Sequence, residues 1–504
     1  MADIFDAEAA KKPSGFSRSF LRVAAFAAAV LTAASALTGC GGEKAGQQEE
    51  TSDVALADDY LDSALPTDTY DGATFGIIGS GHTQVDPGDE ENSEPVHDAQ
   101  LRRNLKIAER YDVNFEYNMT EGYDYVNQAV EAATLANEQL YNLAFGVYAG
   151  CGTYFVNNGL IMSTDNIPHL DLTQKWWSQD CTDQLTIGDK TLFLTGMITY
   201  EHCVDGTCIF FNKKITEDKA LDNHFDDVRA YRWTLDKMYA NAKIAAHDDN
   251  GDTQMDASDT WGFVFHANTG YGLMASCNIH PLEFDEEHIP SVIQTPGQEI
   301  FEKVDKISSI LTNRRYCACY HLEEFAEIKA SFTKGKALYT QGLCQDGAGT
   351  YRPADFYDFG ILPDPLWEEG EQDYHSFGHT WDGGGIYFPI ICPDEEMTGV
   401  ITEALAYQSS VDGGYYYAII EKYIKGKGTY DYDSEEMVDL VLSGKVYDLS
   451  NLFDFGISGV INTCCVGVEG GKIVDGNLSS LWAGKANASK SQCRQTVRTW
   501  ERLD

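Results

Sequence analysis

Ala73-Thr74-Phe75-Gly76-Ile77-Ile78, followed by Gly79-Ser80-Gly81-His82, opens the alternation that decides the fold class. The apolar run has the length of a strand, and the glycine-flanked polar residues after it have the composition of a turn. Residues 83–95 are acidic and include Pro87 and Pro95, which predicts a loop. A helix is predicted from about Asp98 to Tyr111, with Leu101, Leu105 and Ala108 on one face. Val113-Asn114-Phe115-Glu116-Tyr117 reads as a strand, Tyr123 to Glu138 as a second helix and Leu140 to Val147 as a third strand. Strands alternating with helices at this spacing predict a parallel α/β sheet. Ligands of such sheets bind at loops beyond the carboxyl ends of the strands. That rule puts Gly79 to His82, and Tyr148, at the expected site.

The alternation continues along the chain. Strands are predicted at 208–212, 261–266, 337–341, 359–362 and 385–391, and helices at 233–246, 298–311 and 322–334. Helices then dominate, at 396–408, 415–424, 434–442 and 449–453. Two α/β lobes plus helices fit this order better than one large sheet.

Upstream, Val23 to Leu37 is an Ala-rich apolar run preceded by Lys11, Lys12, Arg18 and Arg22 and ended by Leu37-Thr38-Gly39-Cys40. A basic start, a short apolar core and small residues before a cysteine predict a secretory signal of the lipoprotein kind. The run is shorter than the roughly 20 residues that span a bilayer. On this reading residues 1–39 are a signal peptide and Cys40 carries the lipid (palmitate among its acyl chains), which places the protein outside the cytoplasm on the outer face of the cell membrane. Residues 40–59 form a disordered tether of Gly, Glu, Gln, Ser and Asp, and residues 60–504 form the folded domain.

The 504 residues carry a formal net charge of −43, with 43% hydrophobic and 12% aromatic residues. The composition is that of a globular protein with a substantial core, and the charge argues against nucleic acid as a partner. With Cys40 taken by lipid, an even number of the 13 cysteines is left, as in a disulfide-bonded exported chain, with free thiols, as an anaerobic host would leave them, open as the alternative. Cys203-Val204-Asp205-Gly206-Thr207-Cys208 is the expected local pair, because Asp205-Gly206 is a turn signal that would bring Cys203 and Cys208 together. No CxxC pairs stand at zinc-site spacing, so no structural zinc is predicted.

Several stretches, in order, resemble the type 1 extracellular solute-binding family of ABC importers, over roughly residues 60–455. They include Arg102-Arg103-Asn104-Leu105-Lys106-Ile107-Ala108-Glu109-Arg110-Tyr111-Asp112-Val113, Asn158-Gly159-Leu160, and Ile167-Pro168-His169-Leu170-Asp171-Leu172 with Trp176-Trp177. Ile187-Gly188-Asp189-Lys190, Phe210-Phe211-Asn212-Lys213-Lys214, Trp233-Thr234-Leu235-Asp236-Lys237, Lys334-Gly335-Lys336-Ala337-Leu338-Tyr339 and Phe359-Gly360-Ile361-Leu362-Pro363 continue the series. No one stretch is specific; their order and spacing carry the match. The resemblance implies an α/β, two-lobed periplasmic-binding-protein-like fold (type II), with hinge-linked lobes, a ligand cleft and a helical C-terminal part. It places lobe one at about 60–204 and 343–392, and lobe two at about 205–342 and 393–504. It further implies a monomeric receptor that binds an oligosaccharide by hinge closure and delivers it to ABC permease subunits.

Two constellations could carry binding. Asp248, Asn250, Asp252, Gln254 (through its carbonyl), Asp256 and Asp259 follow the oxygen spacing of a twelve-residue calcium loop. Thr253 stands where that loop normally has Gly, and Asp259 where it has Glu. The expected ion is structural. Sugar rings present apolar faces to aromatic side chains while their hydroxyls need polar partners. His82, Tyr148, Tyr200, His266, Tyr271, Gln341, Trp381 and Asp382 are the candidate ligand contacts, led by Trp381-Asp382-Gly383-Gly384-Gly385, a Trp and a carboxylate on a glycine-rich loop. Trp176, Trp177, Trp233 and Trp261 read as packing residues. No GxSxG, HExxH or phosphate-binding glycine loop occurs, so a non-enzyme is expected. With 79 acidic residues, a secreted glycan-degrading enzyme stays open as an alternative, as does the same receptor fold with a peptide or another solute.

Overall fold

The computed structural model describes residues 60–81, 83–354, 358–453, 455–474 and 476–503. The expected signal segment, Cys40, the tether and His82 lie outside the described residues.

Strand Ala73–Ser80 is buried over its last six residues and pairs in parallel with Val113–Thr120 on one side and Leu143–Val147 on the other. Helices Pro95–Tyr111 and Tyr123–Ala136 make the crossovers, ending on Asp112 and Asn137 in the left-handed conformation. The first helix buries Leu101, Asn104, Ile107 and Tyr111. Leu105, expected on that face, is instead 59% exposed. The sheet is completed from far along the chain. Gly384–Pro389 inserts antiparallel between Leu143–Val147 and Ile161–Met162.

A second five-stranded sheet has the order Phe359–Pro363, Thr207–Asn212, Ala337–Leu343, Trp261–Phe265, Cys317–Cys319. Helices Leu235–Ala245, Thr269–Ser276 and Gln298–Leu311 belong to its lobe. Asn and Asp side chains start several helices by accepting a backbone N–H from the first turn, as do Asp394 from Met397, Asp431 from Ser434 and Asn477 from Ser480.

Two boundaries differ from the expected division into lobes. Phe359–Pro363 pairs antiparallel with Thr207–Asn212 and so lies in the second sheet, not with residues 343–392 in lobe one. Helix Glu395–Ser410, expected in lobe two, packs on helix Pro95–Tyr111 and sends Met397, Val400, Ile401 and Ala404 into the first lobe's core beside Phe75 and Ile107. The predicted helix over 322–334 is a run of tight 3₁₀ turns, Glu323–Ala330. Beyond Phe455, where the family resemblance ends, the chain forms helices Ile457–Val466 and Leu478–Trp500.

The expected Cys203–Cys208 bond is absent. All twelve described cysteines are free and buried. Cys203 lies in helix Tyr200–Val204, where its thiol donates to Thr199 O at 3.2 Å, whereas Cys208 lies within the next strand. The segment runs from helix to strand and makes no hairpin that would bring the sulfurs together.

Trp176 and Trp177 do more than fill space. Both indole N–H groups donate to the buried Glu403 carboxylate, at 3.0 and 2.9 Å. Tyr60 Oη and Asp171 N donate to the same group, at 3.1 and 3.3 Å. Tyr60 also stacks on Tyr407 at 4.6 Å, so the start of the described chain is fastened to helix Glu395–Ser410. Removing the acceptor leaves buried donors unpaired, each costing about 1–3 kcal/mol. Glu403→Ala is therefore expected to lower unfolding free energy by about 3 kcal/mol, read as a lower urea midpoint, with Glu403→Gln losing less.

Candidate functional site

A cleft of ≈ 240 Å³ lies where the lobes meet. The first lobe contributes Ala149 and Thr153, and the second contributes Asn268 and Tyr271. Phe377, His379, Thr380 and Trp381 come from the segment that returns to the first sheet, and Asn451, Leu452 and Phe453 from the helix Leu449–Leu452 and its end.

The aromatic members are arranged in pairs. Tyr271 stacks on Phe377 at 6.1 Å, and Phe377 meets the His379 ring at 5.7 Å. Trp381 packs edge-on against Tyr123 at 5.7 Å and keeps 52% of its surface exposed. His379 Nδ1 lies 2.7 Å from Asp382 Oδ2 at the cleft rim. The polar groups at the lining are amide, hydroxyl and imidazole; no Lys or Arg is among them.

Of the predicted contacts, the structure brings Tyr271 and Trp381 into the lining, with Asp382 at its edge. His266 sits just behind, its Nδ1 accepting from Asn268 N at 3.0 Å and its ring 3.9 Å from that of His321. Burial, then the neighbouring His321, pushes its pKa down to about 4, so the imidazole is neutral. Tyr148 is fully buried between Phe193 and Tyr447 and faces the lobe interior. Tyr200 packs near Tyr423 in a separate core cluster. Gln341 is tied by Nε2 to Asp364 at 2.7 Å, which Thr207 Oγ1 also contacts at 2.6 Å. Asn268, His379, Thr380 and Asn451 were not foreseen. His379 and Thr380 adjoin Trp381, so their signal was adjacency on one loop; Asn451 carried none.

The glycines of the 383–385 loop serve a different approach from the expected one. A Cβ on Gly383 would lie 2.4 Å from Asp205 Oδ2, and one on Gly385 3.0 Å from the Tyr148 ring. The loop thus lies directly on a buried polar cluster behind the cleft. There Lys445 Nζ pairs with Asp205 Oδ1 at 3.1 Å, both essentially buried, and Lys445 also donates to His202 O. Such a pair is costly to break because the remaining charge stays buried. Glu201 adjoins Gly384, and burial raises its carboxyl to about 8, helped by Asp205.

The 248–259 loop is closed by its own hydrogen bonds. Asp248 accepts from Gly251 N and Thr253 N, Asn250 from Asp252 N, and Asp252 from Gln254 N. Asp256 accepts from Ser258 N, and Asp259 from Asp249 N and Asp256 N. Thr253 holds φ +73° at the position where a Gly was expected. Among the described residues, no three His, Cys, Asp or Glu side chains converge as ion ligands.

No family model matches this chain, and no curated protein sequence matches it. Its fold is similar to that of solved structures. The cyclic α-maltosyl-1,6-maltose binding protein of Arthrobacter globiformis aligns with TM-score 0.54 at 12% identity, over 85% of this chain and 99% of that one. The galacto-N-biose-/lacto-N-biose I-binding protein of the ABC transporter from Bifidobacterium longum, in complex with lacto-N-biose, aligns with TM-score 0.54 at 10% identity, over 86% and 99%. MalE of Listeria monocytogenes with maltose aligns with TM-score 0.54 at 12% identity, over 86% and 98%. The likeness shows a two-lobed periplasmic-binding-protein-like α/β fold. Among the described residues, no helix is long and apolar enough to cross a membrane.

Glu201 makes stability depend on pH. Its carboxyl sits at about 8 in the folded protein against 4.5 ordinarily. Below 4.5 both states hold the proton and the contribution is complete. As pH rises from 4.5 to 8 the unfolded chain releases the proton first, so stability falls across that window. Glu403, raised by burial to about 7, acts in the same direction. Melting temperatures measured from pH 5 to pH 8.5 should decline, with a shallower slope in Glu201→Gln.

Proposed function

We propose that this protein is an extracytoplasmic receptor, lipid-anchored through Cys40 and monomeric, that holds a carbohydrate between its lobes and passes it to an ABC importer. The observation that carries the reading is the cleft lining. Aromatic faces of Tyr271, Phe377 and Trp381 stand beside the uncharged polar groups of Asn268, Thr153, Thr380 and Asn451. That mixture suits a neutral polyhydroxylated ring, whose C–H face packs on an aromatic while its hydroxyls take hydrogen bonds. The similar folds named above belong to proteins described with maltose and lacto-N-biose. Binding is non-covalent, and the sugar leaves intact.

Thermal unfolding against a panel of oligosaccharides and peptides tests this. A ligand bound only by the folded state raises stability by about 2.7 kcal/mol at 100 times its Kd. One sugar class is expected to shift the melt and to be recovered uncleaved. Trp381→Ala should weaken that sugar by about 1 kcal/mol, roughly fivefold, while Tyr200→Phe should leave it unchanged. A shift with peptides alone, or cleaved sugar, would overturn the carbohydrate-receptor reading.

For the 248–259 loop we propose a structural calcium ion, supported by the oxygen spacing alone. Asp248, Asn250, Asp252 and Asp256 would turn from backbone N–H groups to the ion. Calcium should then raise the melting temperature of chelator-treated protein, and Asp252→Asn should blunt the rise; equal melts with and without calcium mean that the loop relies on its own hydrogen bonds.

A further inference from the structure

The last helix touches both lobes. Leu478–Trp500 packs along Ile457–Val466, which packs on Thr269–Ser276 and Gln298–Leu311 of the second lobe. On that side Trp482 Nε1 donates to Ile293 O at 3.1 Å and the Cys493 thiol to Pro290 O at 3.4 Å. The other end docks on the first lobe. Trp500 Nε1 donates to Lys190 O at 3.0 Å. Lys190 Nζ returns to Glu501 O at 2.9 Å and Leu503 O at 2.7 Å, a cation capping the carbonyls of a helix end. Gly188 of the same first-lobe loop donates to His288 O of the second lobe at 3.2 Å.

This contact reaches the cleft. The Trp500 ring lies 5.4 Å from Phe193 and 6.0 Å from Phe453, and Phe193 and Phe453 lie 6.0 Å apart. Phe453 lines the cleft. Trp500 thus stands behind a wall residue of the cleft, at the point where the two lobes are fastened together.

We propose that helix Leu478–Trp500 is an interlobe latch and that Trp500 is a positioning residue for binding. It holds Phe453 in the cleft wall and keeps the lobes together before a ligand arrives. The binding part of this proposal rests on the carbohydrate-cleft reading; the latch itself does not. A ligand that needs the lobes together binds with an apparent Kd equal to the intrinsic one divided by the fraction already closed. Weakening the latch therefore weakens binding without touching any group that meets the ligand.

The test compares the parent chain with Lys190→Met, Trp500→Ala and Trp500→Phe. Lys190→Met deletes the bonds from Lys190 Nζ to the Glu501 and Leu503 carbonyls and alters none of the three rings. The radius of gyration from solution X-ray scattering, measured without ligand, reports lobe separation, and far-UV circular dichroism reports folding. Lys190→Met and Trp500→Ala are expected to enlarge the radius with unchanged dichroism, and Trp500→Phe to restore the parental value. Should Trp500→Ala lose its dichroism, Lys190→Met decides alone. A folded Lys190→Met with the parental radius would overturn the latch. With maltotriose and lacto-N-biose as probes, the Kd of whichever binds should rise severalfold in the two weakened variants and recover in Trp500→Phe. An enlarged radius with an unchanged Kd removes the positioning role. An enlarged radius with neither sugar bound by any form supports the latch and counts against the carbohydrate reading.

Discussion

Strand Gly384–Pro389 runs antiparallel in an otherwise parallel sheet, and the arrangement of the two lobes follows from that insertion. The chain has to leave the second sheet after Pro363 and re-enter the first at Gly384. The intervening residues are thereby drawn across the boundary between the lobes, and Phe377, His379, Thr380 and Trp381 reach the cleft because of it. Gly383 lets this connection lie flat on Asp205, where a Cβ would stand 2.4 Å from Oδ2, and Gly384 fits closely over Glu201. The segment that carries Phe377, His379, Thr380 and Trp381 into the cleft is therefore also a connection between the lobes, so a change of lobe angle moves these residues with it.

Much of the fold was legible because periodicity records burial. Helix Gln298–Leu311 was placed at its observed ends, and four of the five strands of the second sheet within a residue or two, since each is a short apolar run between turn residues; the fifth, Cys317–Cys319, is too short to show a pattern. The misreadings share a cause. A strand-end rule locates Tyr148 but not the direction of its ring, which turns into the core. A Gly-rich loop predicts close approach of backbone to something, and here that something is a buried carboxylate. Trp176 and Trp177 are packing residues as predicted, buried in the first lobe's core, but their shared acceptor Glu403, over 220 positions away, leaves no local trace. The cleft was legible only in part for the same reason: Tyr271 and Trp381 announce themselves as aromatics beside strand ends and glycines, whereas Asn451 looks like any polar residue of a short helix.

Of the two readings open for the cysteines, disulfides or free thiols, the described residues show free thiols. Burial pushes the thiols of Cys151, Cys181 and Cys277 up to about 12, so the thiolate needed for exchange is scarce. They behave as small apolar residues within tightly packed layers. Gly146 shows how tight: a Cβ there would stand 2.4 Å from Cys151 Sγ.

The late arrival of strand Gly384–Pro389 also bears on how the molecule comes to be. During synthesis the first lobe exists as an unfinished sheet, with the edge of Leu143–Val147 open, until residue 389 has been made. Contacts between residues so distant in the chain impose a large loop-closure cost before they return any stability, which makes folding slow. Until that strand is made the nascent chain exposes an unpaired strand edge, the kind of surface on which chains pair with one another.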